Sequence, residues 1–288
     1  MTLPGGRRLG YAGFGDPAGL PVLHFHGALT SRWEGFWLDV AARAHGLKLV
    51  SLDRPGVGTS DFAPGRTLLD WPRDVAVLAD ALGLDRFAVV GISGGGPYAL
   101  ACAHAMPARV TRVALIAGAA PLSDPAVFAQ LSLRQRMSVG RLIRSPRVLH
   151  TVLRGLRALP PFLRMFAVTA VLGGLSSADL RTVRSADITE RFKLLPKEAA
   201  QAPFGLDASG PMWDGHLHSQ PWGFALADIR TPVDLWYAED DRIVSARMGR
   251  WLAGVLPDVH PRFLPDDGHL SLILGKADDY LGALRAAA

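Results

Sequence analysis

The chain has 288 residues, 49% hydrophobic and 20% charged, with a formal net charge of +5. That composition excludes a disordered chain and suffices for one large domain, or one domain with an insert. The single cysteine, Cys102, excludes an internal disulfide framework and a cysteine-rich metal site.

In chain order, no apolar region like that of a signal peptide follows the Arg7-Arg8 pair, and no later apolar run could span a bilayer. With one cysteine, the expected location is cytoplasmic. Residues 8–16 read as an antiparallel edge strand. Short apolar runs at 21–27, 47–56, 86–93, 110–118, 231–240 and 261–265 read as buried strands. Helical patterns fall at 31–45, 70–83, 95–106, 245–256 and 270–286. This alternation predicts a mostly parallel sheet covered by helices, an α/β fold. The rhythm breaks between 122 and 223, where no strand pattern occurs and basic, apolar stretches are punctuated by Pro146, Pro160 and Pro161. The expected organisation is therefore a core of 1–121 and 224–288 with a helical insert of 122–223. Inserts at the carboxyl ends of strands sit over the crevice where ligands bind.

Four glycines surround one serine in "VVGISGGGPYAL", residues 89–100. Gly91-Ile92-Ser93-Gly94-Gly95 fits G-x-S-x-G between a strand and a helix, the pattern of a sharp turn that presents a nucleophile. Gly91 and Gly95 are expected to give clearance, Gly94 to offer its N–H to an oxyanion, and Gly96 with Pro97 to open the helix. The stretch lacks the G-x-G-x-x-G spacing of a dinucleotide site and the lysine of a P-loop.

A serine hydroxyl needs a base, and the base an orienting acid. On this kind of sheet the chain order is serine, acid, histidine. Asp240 and Asp241 follow the 231–238 strand pattern, and His269 follows Gly268 in "LPDDGHLSL" beyond the last strand. His24 and His26 alternate along an early strand, but no further ligands are spaced for a metal. No metal and no organic cofactor is expected.

The motifs "HFHGALTSR", "LDRPGVGTSD", "GISGGG", "AEDDRIV" and "DDGHLSL" occur in one order along nearly the whole chain. In this the sequence resembles the α/β-hydrolase-fold superfamily, in its serine-nucleophile branch with a helical cap. One departure is Ala238, where the family often has glycine. The resemblance aligns the family's acid with Asp241, because Val244 follows at the family's spacing; Asp240 and Asp124 are the alternatives. It implies Ser93, Asp241 and His269 as a catalytic triad, and the N–H groups of Ala28 and Gly94 as an oxyanion hole. Leu29 is the alternative donor. His26, Asp53, Arg54, Gly56 and Gly58 are expected to shape their loops.

The implied activity is hydrolysis of a carboxylic ester, lactone or thioester of an apolar small molecule, esterase- or lipase-like. Serine at the elbow argues against the dehalogenase and epoxide-hydrolase branches, and "HGALTS" departs from the HGGPG of proline iminopeptidases. Carbon–carbon bond hydrolysis, lyase or cyclase chemistry on the same triad, and a non-catalytic ligand-binding role, are the alternatives. Between Asp124 and Asp179 the insert carries eight arginines and no acid, which leaves the rest of the chain net acidic. Such a surface suits an acidic carrier or a CoA-linked substrate, with Leu29, Phe162, Met165 and Phe166 facing an acyl chain. Nothing resembles a nucleic-acid-reading module.

Overall fold

A computed structural model of the chain describes residues 1–136, 145–159, 174–200, 202 and 208–287. Among these residues the strands form one seven-stranded sheet. They are β1 (Tyr11–Gly15), β2 (Leu20–Phe25), β3 (Leu47–Leu52), β4 (Phe87–Ile92), β5 (Val110–Ile116), β6 (Val233–Ala238) and β7 (Val259–Leu264). The spatial order is β1-β3-β2-β4-β5-β6-β7. Only the β1–β3 pairing is antiparallel among them.

Burial explains which sequence runs became which strands. Every residue of β4 and of β6 is buried, as a central parallel strand covered on both faces requires. Strand β1 alternates exposed and partly covered residues, the pattern of a half-solvated edge. Strand β7 is the other edge and tolerates Pro261, which has no N–H to give to a ladder.

Among the described residues, the α-helices of five residues or more are α1 (Gly35–Ala44), α2 (Trp71–Ala81), α3 (Gly96–Ala105), α4 (Pro125–Ala129), α5 (Pro146–Ala158), α6 (Ser177–Val183), α7 (Ala186–Leu194), α8 (Ser209–Ser219), α9 (Ala246–Val255), α10 (His269–Gly275) and α11 (Ala277–Ala286). Alternation along the strands sorts them to opposite faces. Gly91 faces Ala99 of α3 and is in register with Leu115 of β5, which is in register with Leu235 of β6, two residues before Tyr237, which packs against Gly249 of α9. Helices α3 and α9 therefore share a face. Trp236 points the other way, onto Tyr280 of α11, and α11 packs beside α1. The 270–286 pattern is broken in two at Lys276, whose backbone (φ −114°, ψ 18°) leaves the helical region.

Helices α4 to α8 lie between β5 and β6 in sequence. Leu149, Leu153 and Leu156 of α5 and Ala208 form an apolar cluster separate from the main core, with Leu29 and Met212 packed against it. None of the helices is long and apolar enough to cross a membrane, among the described residues.

Candidate active site

The parallel strands deliver their following loops to one edge of the sheet, the usual place for a ligand crevice. Ser93 follows β4 directly, at a φ of 50° that L-residues rarely adopt, and then the chain turns into α3. The glycines permit this turn. A Cβ on Gly95 would overlap the carbonyl oxygen of Phe25, and one on Gly91 would lie 2.7 Å from the Ala99 methyl carbon. Ser93 is buried, and its carbonyl accepts from the Ala119 N–H at 3.0 Å.

Asp241 stands in the loop after β6, and its Oδ1 accepts the N–H groups of Ile243 (2.7 Å) and Val244 (2.8 Å). That explains the D-x-x-V spacing, because the turn that positions Val244 also clamps the carboxylate. Its Oδ2 is 2.7 Å from Nδ1 of His269, the first residue of α10. In the neutral imidazole this bond holds the proton on Nδ1 and leaves Nε2 as an acceptor. Burial by itself would lower the pKa of His269. The carboxylate of Asp241, with Asp179 and Glu34 beyond it, outweighs that effect and raises it. Asp240 is exposed, and the Asp124 carboxylate caps α4 by accepting from Ala126 N–H at 2.7 Å. Of the three candidate acids, only Asp241 meets His269.

The loop after β2 approaches the serine turn. A Cβ on Gly94 would lie 3.1 Å from the Ala28 nitrogen, and one on Gly27 would lie 3.6 Å from Ser93 Cβ. Leu29 has a φ of 57°, which lets the chain reverse there. Buried groups fix the loop. Glu34 accepts the Gly27 N–H at 2.9 Å and pairs with His24 Nε2 at 3.1 Å, while Ser51 meets the other ring nitrogen of His24. His26 accepts the Arg54 N–H at Nε2, so Nδ1 carries the proton and donates to the Gly27 carbonyl. Burial, chiefly, and then the Arg54 charge hold His26 well below the usual histidine pKa, hence neutral. Both histidines are thus committed to bracing the loop. Asp53 accepts from the backbone of Arg32 and Thr59 and pairs with the Arg32 guanidinium. Gly58 carries no side chain because the Asp53 carboxylate fills that space.

Sequence reasoning missed a buried polar cluster beside this loop. The Arg54 guanidinium donates to the carbonyls of His26 and Gly27 and, through Nε, to Asp214 Oδ2 at 2.7 Å. Asp214 lies on α8 and also binds Arg66 and the Tyr98 hydroxyl, the latter at 2.6 Å. The two guanidinium groups hold its carboxyl well below the usual range against the opposing effect of burial. One turn along α8, His218 donates from Nε2 to the Gly94 carbonyl at 3.1 Å. Its own pKa is pulled down to about 4, chiefly by burial. Nothing in the sequence flagged Asp214 or His218, whose partners lie more than a hundred residues away. Asp179 stood out in the sequence only as the end of the acid-free stretch; in the fold it completes a capping box with Ser176 at the start of α6. Phe162, Met165 and Phe166 lie outside the described residues.

Residues 21–276 match the sequence model of the alpha/beta hydrolase fold family. A 2-hydroxy-6-oxononadienedioate/2-hydroxy-6-oxononatrienedioate hydrolase of Paraburkholderia phymatum is 27% identical over 261 residues, 87% of this chain and 80% of that protein. A non-heme chloroperoxidase of Streptomyces lividans is 33% identical over 126 residues, 42% of this chain and 45% of that protein. Among solved structures, a thermophilic esterase from Thermogutta terrifontis superimposes with a TM-score of 0.70 at 21% identity, covering 99% of this chain and 94% of that one. A putative aryl esterase from Burkholderia cenocepacia gives 0.69 at 23% identity, covering 99% and 97%.

Proposed function

Because the chain belongs to the alpha/beta hydrolase fold family, we propose that it is a serine hydrolase acting on a carboxylic ester, lactone or thioester of an apolar small molecule. The observation that carries the reading is the 2.7 Å bond between Asp241 and His269 at the sheet edge where Ser93 sits on its strained turn. His269 Nε2 takes the proton of Ser93 as the hydroxyl oxygen attacks the substrate carbonyl. Asp241 keeps the imidazole in the required tautomer and stabilises its charged form. The N–H groups of Gly94 and Ala28 receive the oxyanion, each worth roughly 3–4 kcal/mol in the transition state. The leaving group departs with the proton from His269. Water, deprotonated by the same imidazole, then releases the acyl group from Ser93.

In this reading 122–223 is a cap over a core of 1–121 and 224–288. Leu29, packed against the α5 cluster, lies where the cap meets the loop after β2. The exposed arginines of α5, Arg147 and Arg154 among them, suit an acidic carrier or a CoA-linked acyl group. The single, buried Cys102 suits a cytoplasmic setting. A second reading, carbon–carbon bond hydrolysis on the same residues, is favoured by the long match to the Paraburkholderia hydrolase.

The test is labelling with a fluorophosphonate. Wild-type protein should be labelled and Ser93→Ala should not; equal labelling of the two sinks the proposal. A panel of esters graded by acyl length, run beside a vinylogous 1,5-diketone, then separates the two readings by relative kcat/KM.

A further inference from the structure

Asp179, on α6, is fully buried. Its Oδ1 accepts the backbone N–H groups of Leu270 at 2.7 Å and Ser271 at 3.0 Å, the two residues after His269. Its Oδ2 accepts the Ser176 N–H at 2.9 Å, and Ser176 Oγ in turn accepts the Asp179 N–H at 3.1 Å. The carboxylate therefore ties the start of α6 to the start of α10, across 91 residues of sequence.

The approach is close enough to dictate the residue before the histidine. A Cβ on Gly268 would overlap Ser176 Oγ and lie 2.6 Å from Asp179 Oδ2. Without a side chain, Gly268 cannot cap α10 with an oxygen of its own. A neutral acceptor would satisfy two N–H groups equally well, but here the acceptor is a buried carboxylate. Among the described residues, the charged groups acting on His269 are Asp241 from the β6 loop, Asp179 from α6 and Glu34 from the turn before α1.

We infer that Asp179 is a positioning residue for His269, fixing its helix through Leu270 and Ser271 and adding negative charge that favours the imidazolium formed during turnover. The inference rests on the reading of His269 as the general base. It gives the 122–223 segment a part in holding the reacting groups, in addition to covering a substrate.

The experiment uses full-length wild type, Asp179→Asn and Asp179→Ala, with circular dichroism for folding, fluorophosphonate labelling of Ser93, and p-nitrophenyl acetate hydrolysis from about pH 5 to about pH 9. The asparagine oxygen can still accept from Leu270 and Ser271. That variant should keep kcat within about tenfold while the acid limb of kcat/KM moves down by about half a pH unit or more, since removing a negative charge lowers the pKa of His269. The alanine variant should lose about a hundredfold in kcat with a smaller change in KM, because His269 is no longer aimed. If it does not fold, the asparagine variant decides. A folded, labelled Asp179→Asn whose limb and kcat match wild type overturns the inference. Failure of wild type to label, or equal labelling of Ser93→Ala, overturns the triad reading and this inference with it.

Discussion

A Cβ on Gly95 would run into the Phe25 carbonyl oxygen and lie 2.7 Å from its carbon and 2.8 Å from the His26 carbonyl oxygen. All three are backbone atoms of the strand and loop that bring Ala28 to the serine, so they cannot swing aside as a side chain would. A Cβ on Gly96 would meet Gly118 Cα at 3.0 Å, Ala119 N at 3.4 Å and Gly118 C at 3.5 Å, a crowding that a shift of a few tenths of an ångström relieves. Gly95→Val should therefore abolish activity and lower stability by about 3 kcal/mol or more, as severe overpacking does. Gly96→Ala should cost about 1 kcal/mol and leave the protein active. Thermal unfolding and ester hydrolysis read both, and equal effects would refute this account of the turn. The residue scale was also where the sequence spoke most plainly. Ser93, Asp241 and His269 each follow a strand, and local rules govern each: a glycine-flanked turn, a carboxylate clamped by the N–H three residues on, a histidine after a glycine. Leu29 was named from the sequence as a candidate of the site, but its packing against α5 was not legible, because that contact comes from a segment distant in sequence.

At the scale of elements, α8 does the most to connect distant parts of the chain, and it was the hardest to read. Its sequence, SGPMWDGHLHS, has no clean amphipathic pattern, because buried polar residues occupy positions that apolar ones would usually fill. Asp214 forms ion pairs with two buried guanidinium groups, Arg54 and Arg66. Asp214→Ala leaves both without a counter-charge and should cost about 3–5 kcal/mol. Asp214→Asn, which keeps the hydrogen-bonding shape, should cost less, and urea unfolding compares them. A smaller loss for alanine than for asparagine would show that the charges are not the source of the stability. His218 makes a second demand on α8. Its pKa in the folded state, about 4, lies below the value near 6.5 of an unfolded chain. Between those values the unfolded chain binds the extra proton, so this contribution is complete above about pH 6.5 and lost progressively down to about pH 4. The full span corresponds to about 3 kcal/mol. His26, also held neutral by burial, acts in the same direction, and His269, with its raised pKa, acts in the opposite one. The Tm should fall between about pH 6.5 and about pH 4.5, and His218→Gln should flatten that fall. An unchanged slope would mean that His218 is already charged in the folded protein.

For the molecule as a whole, the buried bonds decide whether the 122–223 segment behaves as a detachable lid. Strands of a parallel sheet read as apolar runs, so the core was legible from hydrophobicity alone. The attachment of the intervening helices was not, because it runs through polar pairs separated by tens to hundreds of residues. Asp179 holds Leu270 and Ser271, Asp214 holds Arg54, and His218 holds the Gly94 carbonyl. Gln135 donates to the carbonyls of Arg242 and Ile243, beside Asp241. Arg191 donates to the carbonyls of Phe36 and Trp37 on α1. Each reacting group of the proposed triad thus has a neighbour tied to this segment, and several of the ties are buried where a broken bond costs about 1–3 kcal/mol. Opening the segment from the core would break many of them together. The two parts should therefore unfold as one cooperative unit, in a single calorimetric transition whose calorimetric and van't Hoff enthalpies agree. A chain in which a short linker replaces 122–223 should lack a competent oxyanion loop and a fixed His269, and show no fluorophosphonate labelling. Two resolved transitions in the intact protein, or labelling of the shortened one, would mean that the core organises its own site and that these helices only cover it.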